Sequence, residues 1–243
     1  MVIRTEWDDE HKVYVSAGVE PWESWLLMVV YWAVGYAAAI STNDIWDRLF
    51  RSVPPIDDGY YWASFGACLL ATVLAQAKYY WNTTDGGRAF RWFSLLAFVL
   101  GNGIFESLWF FASFDCIAVS FDLNFAPMAG GWTTKHALQF LVGFLSFSIY
   151  SGVAHSLFWG AFVLPPHFDG KPRNGKDKIP GPEAFLPGLI FMSFLWFVHY
   201  YVYGDMLGFT LCHMVADVGA QISDKIPAPW ETSNKSTHEK KSI

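Results

Sequence analysis

Six long stretches of the chain are almost free of charged side chains, and they constrain the fold more than any other feature. Each is long enough to cross the hydrocarbon layer of a membrane as an α-helix, which takes about 20 residues. The stretches are 24–42, 59–77, 92–114, 136–168, 184–204 and 206–223. Only 16% of the 243 residues are charged and 53% are hydrophobic, which argues against an ordinary soluble enzyme. The sequence therefore predicts an all-α, polytopic membrane bundle of six transmembrane helices.

The basic residues indicate how this bundle is oriented. With six crossings, both termini and the second and fourth loops share one side, and these segments hold 13 of the 16 Lys and Arg residues. Since basic residues concentrate in cytoplasmic segments, we expect both termini on the cytoplasmic-equivalent side of the membrane. The expected organisation is a polar amino-terminal segment 1–23, a membrane domain 24–223 and a flexible tail 224–243. The lipid bilayer is the expected partner, and no nucleic-acid signature is present.

Polar side chains interrupt three of the predicted helices at helical spacing. The three stripes are Asn102, Glu106 and Ser113; Ser148, Ser151 and His155; and Thr210, His213, Asp217 and Gln221. Residues spaced by three, four or seven positions share one face of a helix. Ionisable groups within a membrane are costly and face a partner or a water-filled cavity. We therefore expect the stripes to face one another, with Glu106, His155, His213 and Asp217 in one interior cluster.

This layout resembles the CPBP family of intramembrane proteins, which includes the CAAX proteases and the Abi bacteriocin-immunity proteins. The family carries Glu-Glu-x-x-x-Arg, Phe-x-x-x-His and His-x-x-x-Asn/Asp motifs on separate helices. Glu106, His155 and the pair His213 and Asp217 match them in order within residues 92–222. The resemblance implies a glutamate-dependent endopeptidase for a membrane protein or prenylated substrate. In it, Glu106 and His155 activate a water molecule, while His213 and Asp217 stabilise the oxyanion.

The chain also departs from the family motifs. Glu106 has Phe105 and Ser107 as neighbours instead of a second glutamate, and no arginine follows at the expected place. Ser151 stands where the second motif has phenylalanine. These departures favour a degenerate, non-catalytic member of the family that binds a membrane protein or an isoprenoid-type ligand.

Other classes of function stay open at this point. His155, His199 and His213 could ligate haem iron or chlorophyll magnesium through a neutral ring nitrogen. The chain would then be a pigment- or haem-binding accessory subunit of a larger membrane complex, with His199 as a cofactor ligand. Buried acidic and histidine stripes also suit proton relay in a transporter, although no inverted repeat is evident. The structural alternative is that these groups only hydrogen-bond neighbouring helices.

Overall fold

A computed structural model gives the arrangement of most of the chain. It describes residues 5–8, 13–16, 20–41, 45–51, 53–83, 85, 88–120, 133–154, 173, 175 and 182–231. The described residues form a bundle of helices, as the sequence predicts. A short antiparallel hairpin precedes it, in which strand β1 (Thr5–Asp8) pairs with strand β2 (Val13–Ser16). The hairpin lies within the polar amino-terminal segment, for which no regular structure is predicted.

Helices occupy all six of the predicted stretches. In chain order the helices are α1 (Pro21–Ser41), α2 (Ile45–Arg51), α3 (Gly59–Asn82), α4 (Trp92–Gly101), α5 (Ser107–Ser120), α6 (Thr134–Val153), α7 (Pro182–Tyr203) and α8 (Met206–Asp224). A π-helical turn, Asn102–Glu106, joins α4 to α5. Three of the described segments are long and apolar enough to cross a membrane, namely Pro21–Ser41, Trp92–Asp115 and Thr134–Val153. The second half of the predicted stretch 136–168 lies outside the described residues.

Helix α2 replaces part of the loop that the sequence analysis expects after the first span. Ile45 and Leu49 are four residues apart and both are buried, so one face of this short helix packs on the bundle. Phe50 is exposed on the other side. The helix also places Arg48 next to Asp115 at the end of the third predicted span.

Two glycines allow neighbouring helices to pack closely against the third predicted span. A Cβ atom added to Gly35 would lie 2.6 Å from Cδ1 of Trp109 and 2.8 Å from the carbonyl oxygen of Phe105. A Cβ atom on Gly103 would collide with Met214 of α8. The absence of a side chain at these two positions therefore lets α1 and α8 both approach the π-helical turn, which lies between them.

The segment after α8 packs on the bundle as far as residue 231. Lys225 has a left-handed backbone with φ of 51°, which reverses the chain at the end of the helix. The indole of Trp25 donates to the Pro227 carbonyl at 2.8 Å, and the Gln221 side chain hydrogen-bonds both the amide and the carbonyl of Ile226. Residues 225–231 therefore cover the ends of α1 and α8, while 232–243 lie outside the described residues.

Candidate functional site

The π-helical turn shapes the centre of the candidate site. A π-helical turn contains one more residue than an α-helical turn and is often found at functional sites. Asn102 and Glu106 lie at its two ends, and Asn102 Nδ2 donates to Glu106 Oε2 at 2.6 Å. Asn102 Oδ1 accepts from the Trp32 indole of α1 at 3.2 Å. Both Asn102 and Glu106 are buried, so this turn presents an amide and a carboxyl group to the bundle interior.

Three of the four residues predicted to form the interior cluster are brought together. His213 Nε2 lies 3.3 Å from Glu106 Oε2 and 3.8 Å from Asp217 Oδ1. Asn102 Nδ2 also donates to Asp217 Oδ1, at 3.1 Å. The four-residue spacing of His213 and Asp217 places both on the face of α8 that meets the π-helical turn. His155, the fourth predicted member, lies outside the described residues.

Sequence reasoning missed several partners of this cluster. Ser107 Oγ lies 2.9 Å from His213 Nδ1 and donates to the Gly103 carbonyl at 2.6 Å. The Tyr31 hydroxyl donates to Glu106 Oε1 at 2.9 Å and also contacts the hydroxyl of Tyr150. A tyrosine in the middle of an apolar helix is the signal that could have revealed Tyr31, because tyrosines of membrane helices are enriched at the two interfaces.

Ser113 does not join the cluster, although it shares a predicted stripe with Glu106. Its hydroxyl donates to the Phe110 carbonyl at 2.9 Å. Seven residues separate it from Glu106, which is about 10 Å along a helix. A shared face was therefore not sufficient for contact.

His199, the predicted cofactor ligand, belongs to a different polar group at the α7–α8 turn. Its Nδ1 lies 3.0 Å from Ser64 Oγ and its Nε2 lies 3.1 Å from Asp205 Oδ2. Tyr61 donates to the same carboxylate oxygen at 2.7 Å. Both ring nitrogens of His199 are thus engaged by protein groups, as are those of His213. Neither imidazole presents an unoccupied nitrogen to haem or chlorophyll in this arrangement.

Asp205 caps the amino terminus of α8. Its Oδ1 accepts the Gly208 amide at 2.8 Å, one of the amides that a helix start leaves without a partner. Burial alone would raise the pKa of Asp205. The hydrogen bonds from His199, the Gly208 amide and Tyr61 outweigh burial and hold the pKa below its usual value.

A buried ion pair lies between α2 and α5. Arg48 Nη1 lies 2.6 Å from Asp115 Oδ2, and the Asp115 side chain is fully buried while that of Arg48 is 32% exposed. Tyr200 completes the group, because its hydroxyl accepts from Arg48 at 2.9 Å and donates to Asp115 Oδ1 at 3.2 Å. Neither Arg48 nor Asp115 stands out in the sequence, because each is a single charge at the edge of an apolar stretch.

The cluster around Glu106 combines acid, base and hydrogen-bond donors in a buried place. The His213 imidazole lies close to hydrogen-bond distance from Glu106, at 3.3 Å, whereas its 3.8 Å separation from Asp217 is longer than a hydrogen bond. Asp217 Oδ2 is buried and has no hydrogen-bond partner within the described part of the chain. No group of three His, Cys, Asp or Glu residues in that part of the chain is arranged to hold a metal ion. The arrangement is therefore suited to proton sharing and to hydrogen bonding of a polar group.

Fold and site together define a helical bundle with membrane-type helices and a buried Glu–His–Asp cluster. Comparison of the chain with protein-family models, with curated proteins and with solved structures finds no match in any of the three. The likeness to the CPBP family thus depends on the motif residues alone.

Proposed function

We propose that the chain is a six-span integral membrane protein that binds a membrane protein or an isoprenoid-type ligand at the cluster of Glu106, His213 and Asp217. Both termini lie on the cytoplasmic-equivalent side. The cluster corresponds to the site of the CPBP intramembrane proteases, used for binding instead of cleavage. The observation that carries this proposal is the 3.3 Å approach of Glu106 Oε2 to His213 Nε2 from two helices far apart in the sequence.

Length and surface support spans beyond the three apolar segments. Helices α3, α7 and α8 have 24, 22 and 19 residues, about 28 to 36 Å at 1.5 Å per residue. Their outward faces carry large exposed apolar side chains, among them Leu70, Val73, Leu74, Phe191, Phe194, Leu207 and Leu211. Such continuous apolar surface is unfavourable in water and matches lipid.

The departures from the protease motif support binding over hydrolysis. The second glutamate and the arginine of that motif are absent from this sequence. Both oxygens of Glu106 accept hydrogen bonds from side chains of the bundle, Tyr31 at Oε1 and Asn102 at Oε2. A ligand group that binds this carboxylate takes the place of one of these donors.

The deciding experiment uses the protein in lipid nanodiscs with a fluorescent farnesylated CAAX peptide, measuring binding and cleavage in parallel. We expect saturable binding, no cleavage above that of empty nanodiscs, and about tenfold weaker binding for Glu106→Gln. A tenfold change is about 1.4 kcal/mol, close to the contribution of one hydrogen bond to a charged group. Asp47→Asn, at an exposed carboxylate, is the matched control and should bind as the wild type does.

Each other outcome has a definite meaning. Cleavage that Glu106→Gln abolishes would show an active protease and contradict the non-catalytic assignment. Equal binding by Glu106→Gln and the wild type would show that the cluster is not the site. Absence of binding to the peptide would overturn the proposed ligand class.

A further inference from the structure

Three polar side chains at one end of the bundle form a chain of hydrogen bonds. Ser64 Oγ on α3 lies 3.0 Å from His199 Nδ1 on α7, and His199 Nε2 lies 3.1 Å from Asp205 Oδ2. Two further groups fix Asp205, namely the Tyr61 hydroxyl at Oδ2 and the Gly208 amide at Oδ1. The contacts therefore run from a hydroxyl through an imidazole to a carboxylate, which is the arrangement that activates a serine nucleophile.

The carboxylate of Asp205 fixes the tautomer of His199. The pKa of Asp205 lies below its usual value, so the carboxylate is ionised at neutral pH and only accepts hydrogen bonds. His199 Nε2 must therefore carry the proton, which leaves Nδ1 of the neutral imidazole as an acceptor. The Ser64 hydroxyl is then the donor, and Nδ1 is the base to which its proton can pass. The rings of Tyr61 and Tyr203 pack on the imidazole, with centroids 5.1 and 5.2 Å from that of His199.

Ser64 lies where the buried and the exposed sides of α3 meet. Tyr61 and Cys68, three residues before it and four after it, are buried. Tyr60 and Ala67, four residues before it and three after it, are exposed. All four share a helix face with Ser64, which is itself partly exposed. The hydroxyl thus contacts the imidazole on the inner side and borders the outside of the bundle on the other, where Ala67 adds only a methyl group.

The position of this group along the helices indicates what it meets in a membrane. Ser64 is five residues from the start of α3 and His199 is four from the end of α7, which is about 6 to 8 Å along each helix. Asp205 is the residue before α8. The exposed rings of Tyr60 and Trp62 lie at the same level, and tyrosine and tryptophan are enriched at membrane interfaces. The ester carbonyls of bilayer lipids lie in this interfacial layer, next to the hydrocarbon core.

We propose that Ser64, His199 and Asp205 form a catalytic triad that hydrolyses carboxylic esters of membrane lipids at the interface. Ser64 Oγ attacks the ester carbonyl carbon while its proton passes to His199 Nδ1. The bond from the carbonyl carbon to the alcohol oxygen breaks, and the same proton passes to the departing alkoxide, which leaves an acyl group on Ser64. Water then attacks this acyl group and gives a proton to Nδ1, and the proton returns to Ser64 Oγ as the fatty acid leaves. Ser64 and His199 are catalytic residues, and Asp205 positions His199.

Reactivity of Ser64 is measured by labelling the protein in nanodiscs with a fluorescent fluorophosphonate, a reagent for activated serines. We expect a label at Ser64, located by mass spectrometry, and a labelling rate that increases with pH because only the neutral imidazole accepts a proton. Ser64→Ala should remove this label. Ser113→Ala is the matched control, because this helical serine donates to a backbone carbonyl, and it should label as the wild type does. Absence of a label at Ser64 in the wild type would overturn the proposal.

Asp205→Asn tests the positioning of His199. The Gly208 amide still needs an acceptor, so the asparagine oxygen takes the place of Oδ1 and its amino group faces His199. That amino group donates to Nε2 and moves the ring proton to Nδ1, which can then no longer accept the serine proton. We expect labelling of Ser64 at least about a hundredfold slower and independent of pH, while the melting temperature reports that the helix cap is kept. Wild-type rate and pH dependence in this variant would overturn the role of Asp205.

The substrate class is tested with a phosphatidylcholine that carries a fluorescent acyl chain, placed in the same nanodiscs. We expect release of the fluorescent fatty acid above the rate in nanodiscs without protein, and no such release with Ser64→Ala. The matched ether lipid has no carbonyl carbon to attack and should stay intact. Labelling at Ser64 without release of fatty acid would overturn the ester substrate. The triad shares no residue with the cluster of Glu106, His213 and Asp217, so its failure would leave the proposed function as it stands.

Discussion

Replacing Arg48 with methionine is a direct test of the buried ion pair between α2 and α5. The substitution keeps most of the apolar stem and removes the charge that lies 2.6 Å from Asp115. Breaking a buried pair leaves an uncompensated charge and costs about 3–5 kcal/mol. Because the Arg48 side chain is 32% exposed and water screens part of the interaction, we expect the lower end of this range, about 3 kcal/mol. Tyr200 remains as a neutral donor to Asp115.

A double-mutant cycle separates the pair from general damage to the fold. Asp115→Asn in the Arg48→Met background removes the unpaired charge, so the double variant should recover about 1–2 kcal/mol relative to Arg48→Met alone. Unfolding in mixed micelles with increasing SDS gives these free energies. Reaction of Cys68 and Cys212, which are both buried, with a fluorescent maleimide reports the opening of the bundle. A cost below about 0.5 kcal/mol for Arg48→Met, or strictly additive single substitutions, would refute the reasoning.

Three further predictions concern packing, capping and the surface. Gly35→Ala should destabilise the bundle by about 1–3 kcal/mol, because the new methyl group meets an indole and a backbone carbonyl. Gly152→Ala is the control and should not destabilise the bundle, because the space around Gly152 is open. Thermal unfolding in detergent compares the two variants. The pKa of Asp205 is lowered in the folded state, so its carboxylate contributes its full stabilisation above the unfolded-state pKa of about 4 and loses it as the pH falls through the folded-state pKa. Asp205→Ala should therefore flatten the acid side of a plot of unfolding free energy against pH. An unchanged acid side would contradict this. Glu231→Gln removes an exposed ion pair with Arg91. The free energy of unfolding should fall by less than about 1 kcal/mol at low salt and by nothing measurable at 1 M salt. A larger or salt-independent loss would show that the contact is not a surface ion pair.

The charge-free stretches predicted the helices well because each long helix coincides with one of them. The helical spacing of the polar residues also predicted that Glu106, His213 and Asp217 would meet, since ionisable groups inside apolar helices have few other partners. Helix α2 was not predictable in the same way. With 7 residues it is too short to show a periodic pattern, and its position depends on the Arg48–Asp115 contact between distant parts of the chain.

Other hydrogen-bond partners of the site could not be predicted from the spacing of residues in the sequence, because they come together only through tertiary packing. Tyr31 and Tyr150 each place one hydroxyl group on an otherwise apolar stretch of helix. Only the packing of α1 and α6 against α5 brings the Tyr31 hydroxyl to Glu106 and the Tyr150 hydroxyl to Tyr31. Ser107 was identified only as a departure from a family motif, yet it lies at hydrogen-bond distance from His213. Residues 225–231 have a loop-like composition but are ordered by contacts with Trp25 and Gln221.

The π-helical turn also sets which changes in chain length the third predicted span can accept. Because the turn holds one more residue than an α-helical turn, removing one residue from Asn102–Glu106 would leave a continuous α-helix whose two halves keep nearly the same phase. Helices α4 and α5 would still present the same faces to their neighbours, and the placement of Asn102 relative to Glu106 would change. The turn is therefore a place in the third predicted span where a one-residue deletion alters the site and leaves the helix packing in phase.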